Sequence, residues 1–160
     1  SAAGDEIVEA VNFNSPGQVV IAGNKAAVER AIENAKESGA KRAMLLPVSV
    51  PSHCQLMKPA ADAMAEKLAA EEFVSPGYKV LHNVDVQTHE SADEIRVALA
   101  EQLYKPVRWV ETVQALSGQG VEKLVELGPG KVLAGLTKRI DRSLQGVCVQ
   151  DMATLEKAKA

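Results

Sequence analysis

The chain has 160 residues, 46% of them hydrophobic and 24% charged, a balance that fits a folded domain and excludes a disordered or low-complexity protein. A formal net charge of −3 removes the basic surface that general nucleic-acid binding requires, and no apolar run approaches the ~20 residues of a membrane span. Aromatics make up only 3%, and the two cysteines, Cys54 and Cys148, lack CxxC spacing; the expectation is a reduced, cytoplasmic protein without secretory leader, disulfide or zinc site.

In chain order, residues 7–13 and 18–22 are rich in Val and Ile and read as two strands joined by the turn chemistry of NSPG. Asn24 is expected to cap a helix that carries Ala27, Val28, Ala31, Ile32 and Ala35 at helical spacing. RAMLLPVSV, residues 42–50, is bounded by turn residues and reads as a buried strand. A helix is expected over 55–70, with Leu56, Ala60, Met64 and Leu68 near one face. YKVLHNV, residues 78–84, reads as a short strand, 91–104 as a helix stopped near Pro106, and 109–117 as another helix. VEKLVEL, residues 121–127, reads as a strand, followed by a GPG turn and a helix with Val132, Leu133, Leu136 and Ile140 on one face. GVCVQD, residues 146–151, makes a last strand, and 152–158 a closing helix. Strands alternating with helices predict an α/β architecture with a partly parallel sheet. The opening order of strand, strand, helix, strand is three-quarters of a split βαβ unit without its first strand and helix, so the chain is expected to start inside a domain.

Chemistry concentrates in VSVPSHC, residues 48–54. His53 is either a polar loop residue capping the next helix or a base held in a strand-to-helix loop, where α/β proteins commonly place catalysis. A neutral imidazole can take a proton from a hydroxyl or thiol near pH 7 and return it to a leaving group. Cys54 is the adjacent nucleophile candidate. Neighbours on a helix point about 100° apart, however, so a buried thiol fits better than a Cys–His pair. His53, His82 and His89 match no zinc spacing. GPGK, residues 128–131, lacks the GxxxxGK[ST] pattern of a phosphate loop and reads as a strand-to-helix turn. Lys41 and Arg42 form a basic corner, either solvated charge or a docking point for an acidic partner.

VNFNSPGQVVIAG, LLPVSVPSHCQLMKPA, EQLYKPVRW and VELGPGKVLAGLTKRI, in that order and spacing, resemble the malonyl-CoA:acyl carrier protein transacylases of bacterial fatty acid synthesis, over essentially the whole chain but only the C-terminal half of the family. The resemblance implies an α/β-hydrolase-like large subdomain with a ferredoxin-like small subdomain, both incomplete here. Residues 1–46 would be the later part of the small subdomain and 47–160 the C-terminal part of the large one. It implies His53 as catalytic base, acting on a serine that carries malonate from malonyl-CoA to the phosphopantetheine thiol of acyl carrier protein. Gln102 would orient the imidazole through its backbone carbonyl. Asn12 and Asn14 would lie by the acyl or pantetheine channel, and Lys41 and Arg42 would meet the carrier protein. No cofactor or metal is implied, since CoA enters as part of a substrate.

The nucleophile elbow GxSxG occurs nowhere in the 160 residues, and the family's glutamine loop and malonate-binding arginine are also absent. The expected partners are therefore acyl carrier protein, malonyl-CoA and the missing N-terminal half of the same enzyme, and the isolated chain is expected to be inert. The alternative is a non-catalytic fragment that binds acyl carrier protein or CoA.

Overall fold

The computed structural model describes residues 6–159, which fall into two compact units. One comprises the chain through Phe13 together with Val19–Arg108; the other comprises Asn14–Gln18 and the chain from Trp109 onward.

Strands β1 (Val8–Ser15) and β2 (Gln18–Gly23) form a two-stranded sheet, as their Val- and Ile-rich composition predicts. Helix α1 (Lys25–Glu37) buries Ala27 and half-buries Val28, Ala31, Ile32 and Ala35, the stripe read from the sequence. Asn24 stands at its N-cap but does not cap it with its side chain. Its Oδ1 instead accepts the Ile7 N–H at 2.8 Å, and its own N–H is donated to the Ile7 carbonyl at 2.8 Å. The asparagine thus ties the helix start to the chain entering β1.

The buried strand expected over 42–50 does not form. The segment is irregular, and Met44, Leu45, Leu46, Val48 and Val50 are exposed, Val48 to 73%. A strand exists through the ladder that pairs its N–H and C=O groups, and among the described residues no strand lies beside this segment. Apolar composition alone cannot supply that partner.

A 3-10 turn (Gln55–Met57) leads into α2 (Lys58–Ala70). The face predicted for this helix is displaced: Ala61 is buried while Ala60 and Met64 are exposed. The 3-10 turn winds three residues per turn, so a stripe counted at 3.6 from Leu56 falls out of phase. Two short strands, β3 (Leu81–His82) and β4 (Gln87–Thr88), pair antiparallel with Leu81 opposite Thr88. The strand expected over 78–84 shrinks to two residues, and β4 carried no sequence signal. Helix α3 (Ala92–Glu101) begins with a Ser-x-x-Glu cap, the Ser91 hydroxyl accepting the Glu94 N–H at 3.3 Å. From α3, Arg96 donates to the Leu68 and Glu71 carbonyls at 2.9 and 2.8 Å, satisfying the C-terminus of α2. Beyond α3 the chain turns and runs beside β1: Val107 donates its N–H to Val11 O at 2.8 Å and accepts that of Phe13 at 3.0 Å. Val11, Ala27, Cys54, Ala61, Val84, Ile95 and Ala98 are buried in this unit.

In the other unit, α4 (Trp109–Gly118), β5 (Lys123–Leu127), α5 (Val132–Ile140), β6 (Gln145–Val149) and α6 (Met152–Lys159) follow one another. β5 and β6 are parallel, in register from Lys123 opposite Gln145 to Leu127 opposite Val149, with α5 as the crossover. This is the parallel pairing predicted. The Glu126 carboxylate accepts the Ala134 N–H at 2.9 Å and anchors the start of α5. Leu136 and Thr137 are the buried residues of α5; Val132 and Leu133, expected on its covered face, are exposed. The first turn meets β5 and β6 through Ala134 instead, which donates to Glu126 and packs against Gly146, so helical spacing alone misplaces the start of the stripe. No helix among the described residues is long and apolar enough to cross a membrane.

Candidate active site

The site is built on the turn that precedes α2. Pro51 and Ser52 lead into His53, whose backbone lies in the left-handed region at φ 65°. Few residues other than glycine adopt that conformation, and it costs energy that neighbouring contacts must recover. Two bonds do so. The His53 N–H is donated to Leu103 O at 2.9 Å, and Nδ1 lies 2.6 Å from the carbonyl oxygen of Gln102, immediately beyond α3.

That second contact sets the protonation pattern. A carbonyl oxygen can only accept, so Nδ1 carries the hydrogen and Nε2 keeps its lone pair. In this tautomer Nε2 is the ring atom of the half-buried His53 that is able to accept a proton. It does not cap the next helix. Cys54 occupies the N-cap position of the 3-10 turn.

Cys54 is fully buried, with Sγ 3.1 Å from the Pro51 carbonyl oxygen. Burial pushes its thiol pKa up, and Glu9 adds to the shift against the opposing pull of the Leu56 and Met57 N–H groups. A buried, protonated thiol is a poor nucleophile, which agrees with the reading of Cys54 as a packing residue.

Of the other residues singled out by sequence, Asn12 lies on β1 and bridges to Val107, the neighbour of the turn that supplies the Gln102 carbonyl. Asn14 lies near the end of the same strand and is half-buried. Lys41 and Arg42 are both exposed after α1, Arg42 reaching Met44 Sδ at 3.0 Å. His82 and His89 come within 5.2 Å of each other, ring centre to ring centre, and Asp85 bonds His89 Nε2 at 2.7 Å. Among the described residues no three His, Cys, Asp or Glu side chains converge as metal ligands.

Sequence reasoning missed one contact of the turn: the Glu9 carboxylate accepts the Gln55 N–H at 2.9 Å across 46 residues. No local pattern signals such a pairing.

The α/β scaffold thus presents a carbonyl-oriented imidazole just ahead of a helix. The chain belongs to the acyl transferase domain family, whose sequence pattern matches residues 2–157. It is 60% identical over 149 residues to a malonyl CoA-acyl carrier protein transacylase of Haemophilus influenzae, a match covering 93% of this chain and 48% of that protein. The crystal structure of an acyl carrier protein S-malonyltransferase from Vibrio cholerae superposes with a TM-score of 0.95 at 62% identity, covering 98% of this chain and 51% of the other. A malonyl-transacylase in complex with its type II PKS acyl-carrier protein is similar at 58% identity and TM-score 0.96, with coverage of 98% and 51%. The chain thus spans about half the length of the relatives it matches.

Proposed function

We propose that this chain supplies the general base and part of the scaffold of a malonyl-CoA:acyl carrier protein transacylase. The observation that carries the reading is the 2.6 Å contact between His53 Nδ1 and the Gln102 carbonyl oxygen. It gives His53 the tautomer that a base must have.

The chemistry balances around that imidazole. A serine outside this chain gives its proton to Nε2 while its oxygen attacks the malonyl thioester carbon. The tetrahedral intermediate collapses, the C–S bond breaks, and the imidazolium returns the proton to the departing CoA thiolate. In the second half the phosphopantetheine thiol gives its proton to Nε2, the thiolate attacks the malonyl-serine ester, and the serine oxygen leaves with that proton. The Gln102 carbonyl accepts from Nδ1 in every state, which steadies the imidazolium without taking its proton. Water-excluded oxyanion donors would come from the rest of the enzyme. No cofactor is required; CoA is the leaving group of a substrate.

In this reading residues 1–46 complete a ferredoxin-like small subdomain and 47–160 an α/β-hydrolase-like large one, both finished by the other half of the same enzyme. The exposed apolar run from Met44 to Val50, which forms no strand here, supports it. Asn12 and Asn14 line the approach of the acyl or pantetheine group, and Lys41 and Arg42, both exposed, meet the acidic carrier protein. Free Cys54 and Cys148 suit a reducing cytoplasm.

The test is malonyl transfer by the complete enzyme that carries this sequence. His53→Ala is expected to lower kcat by about 10²–10⁴, the range for losing a general base, whereas retention of activity within a few-fold would sink the reading. Lys41→Glu with Arg42→Glu should raise KM for the carrier protein and leave that for malonyl-CoA unchanged.

A further inference from the structure

The imidazole contact of His53 depends on two segments distant in sequence: the turn that carries His53 and the post-α3 turn that carries the Gln102 carbonyl. β1 touches both. Towards the Gln102 side it exchanges hydrogen bonds with Val107, through Val11 O at 2.8 Å and Phe13 N at 3.0 Å. Towards the His53 side it reaches through Glu9, whose Oε2 accepts the Gln55 N–H at 2.9 Å.

That carboxylate stands where the helix needs one. The helical segment starting at Gln55 has no acidic residue in its first turns, no side-chain cap from Cys54, and Lys58 at the start of α2. Its opening amides and partial positive charge therefore lack a local anion. Glu9, half-buried on β1, supplies that anion from 46 residues upstream. It also pins the residue two positions after a histidine held in a left-handed backbone.

We infer that Glu9 is a positioning residue: through the Gln55 N–H it holds the His53 turn at the reach from β1 that brings Nδ1 onto the Gln102 carbonyl. The inference rests on the reading of His53 as the base, but its consequence is local and visible without turnover. Glu9→Ala frees the Gln55 amide and lets the turn drift, so the imidazole loses its carbonyl partner. Glu9→Gln retains an oxygen that accepts the same N–H and preserves the contact.

The experiment is NMR of the complete enzyme that carries this sequence, wild type and both variants, reading the His53 tautomer from imidazole nitrogen shifts and the exchange rate of the Gln55 amide. The wild type should show the Nδ1–H tautomer and a protected Gln55 amide. In Glu9→Ala that amide should exchange about tenfold faster, the cost of one charge-assisted hydrogen bond, and His53 should shift towards the Nε2–H form. Glu9→Gln should restore both. An unchanged tautomer in Glu9→Ala, or a Gln55 amide already unprotected in the wild type, would overturn the inference. So would uniformly faster exchange that includes Val125 and Val147 of the β5–β6 pair, which would make Glu9 a general stability residue. Because neither readout needs malonyl transfer, failure of the transferase reading in the His53→Ala assay is a separate result.

Discussion

At the scale of single residues, Cys54 and His53 are neighbours with opposite fates. The imidazole is half-exposed and oriented, whereas the thiol is fully buried and held protonated by its surroundings. Iodoacetamide on the native chain should therefore modify Cys148, which is half-buried, well before Cys54. Peptide mapping after a brief pulse checks the order, and equal labelling would contradict the buried site. The contact between His53 and the Gln102 carbonyl is the one that the resemblance implies through PSH and QLY. What the residues did not reveal is how His53 is held. Its left-handed backbone and the Glu9 contact arise from tertiary packing across 46 residues, where no local spacing operates.

At the scale of elements, the β3–β4 hairpin carries a pH dependence. Burial first, and the adjacent His89 ring second, lower the pKa of His82 from its ordinary 6.5, against the pull of Asp85. Arg108 also faces this corner, donating to the Asp85 carbonyl at 3.1 Å. The unfolded chain therefore takes up this proton at a higher pH than the folded one. Stability from this group is complete above about pH 6.5 and declines as pH falls through the window beneath it, levelling off below the folded pKa. Urea midpoints measured at pH 7 and pH 5 should converge in His82→Gln relative to wild type; an unaltered difference would remove His82 as the cause. Helices were read well from sequence because their hydrogen bonds are local and their caps, such as Ser91 with Glu94, sit within four residues. Strands were read less well. β4 and the shortened β3 depend on each other, and the run 42–50 has no strand beside it among the described residues.

At the scale of the whole molecule, both units present apolar residues to solvent. Leu45, Val48 and Val50 do so in one unit, and Val125, Leu127 and Val132 in the other, with Leu127 76% exposed. Patches of that kind mark surfaces built to be covered. The chain also spans about half the length of its relatives, so the proposed occupant is the remainder of the same enzyme. Leu45→Lys with Val48→Lys should make the isolated chain more soluble while abolishing activity when it is mixed with that remainder. Light scattering and a malonyl-transfer assay read the two effects. Undiminished complementation would show that residues 42–50 are not part of the joint.

The left-handed backbone at His53 has a bearing on how such an enzyme drifts under selection. Replacing His53 by glycine or by alanine removes the same imidazole, but only glycine relaxes at φ 65°. His53→Gly should thus be more stable than His53→Ala by about 1 kcal/mol, from the steric cost of that region, as thermal denaturation of the two variants would show. A breeding programme that rewards heat tolerance alone would be drawn towards glycine at this position. On the reading proposed for His53, what is lost in that exchange is the base itself.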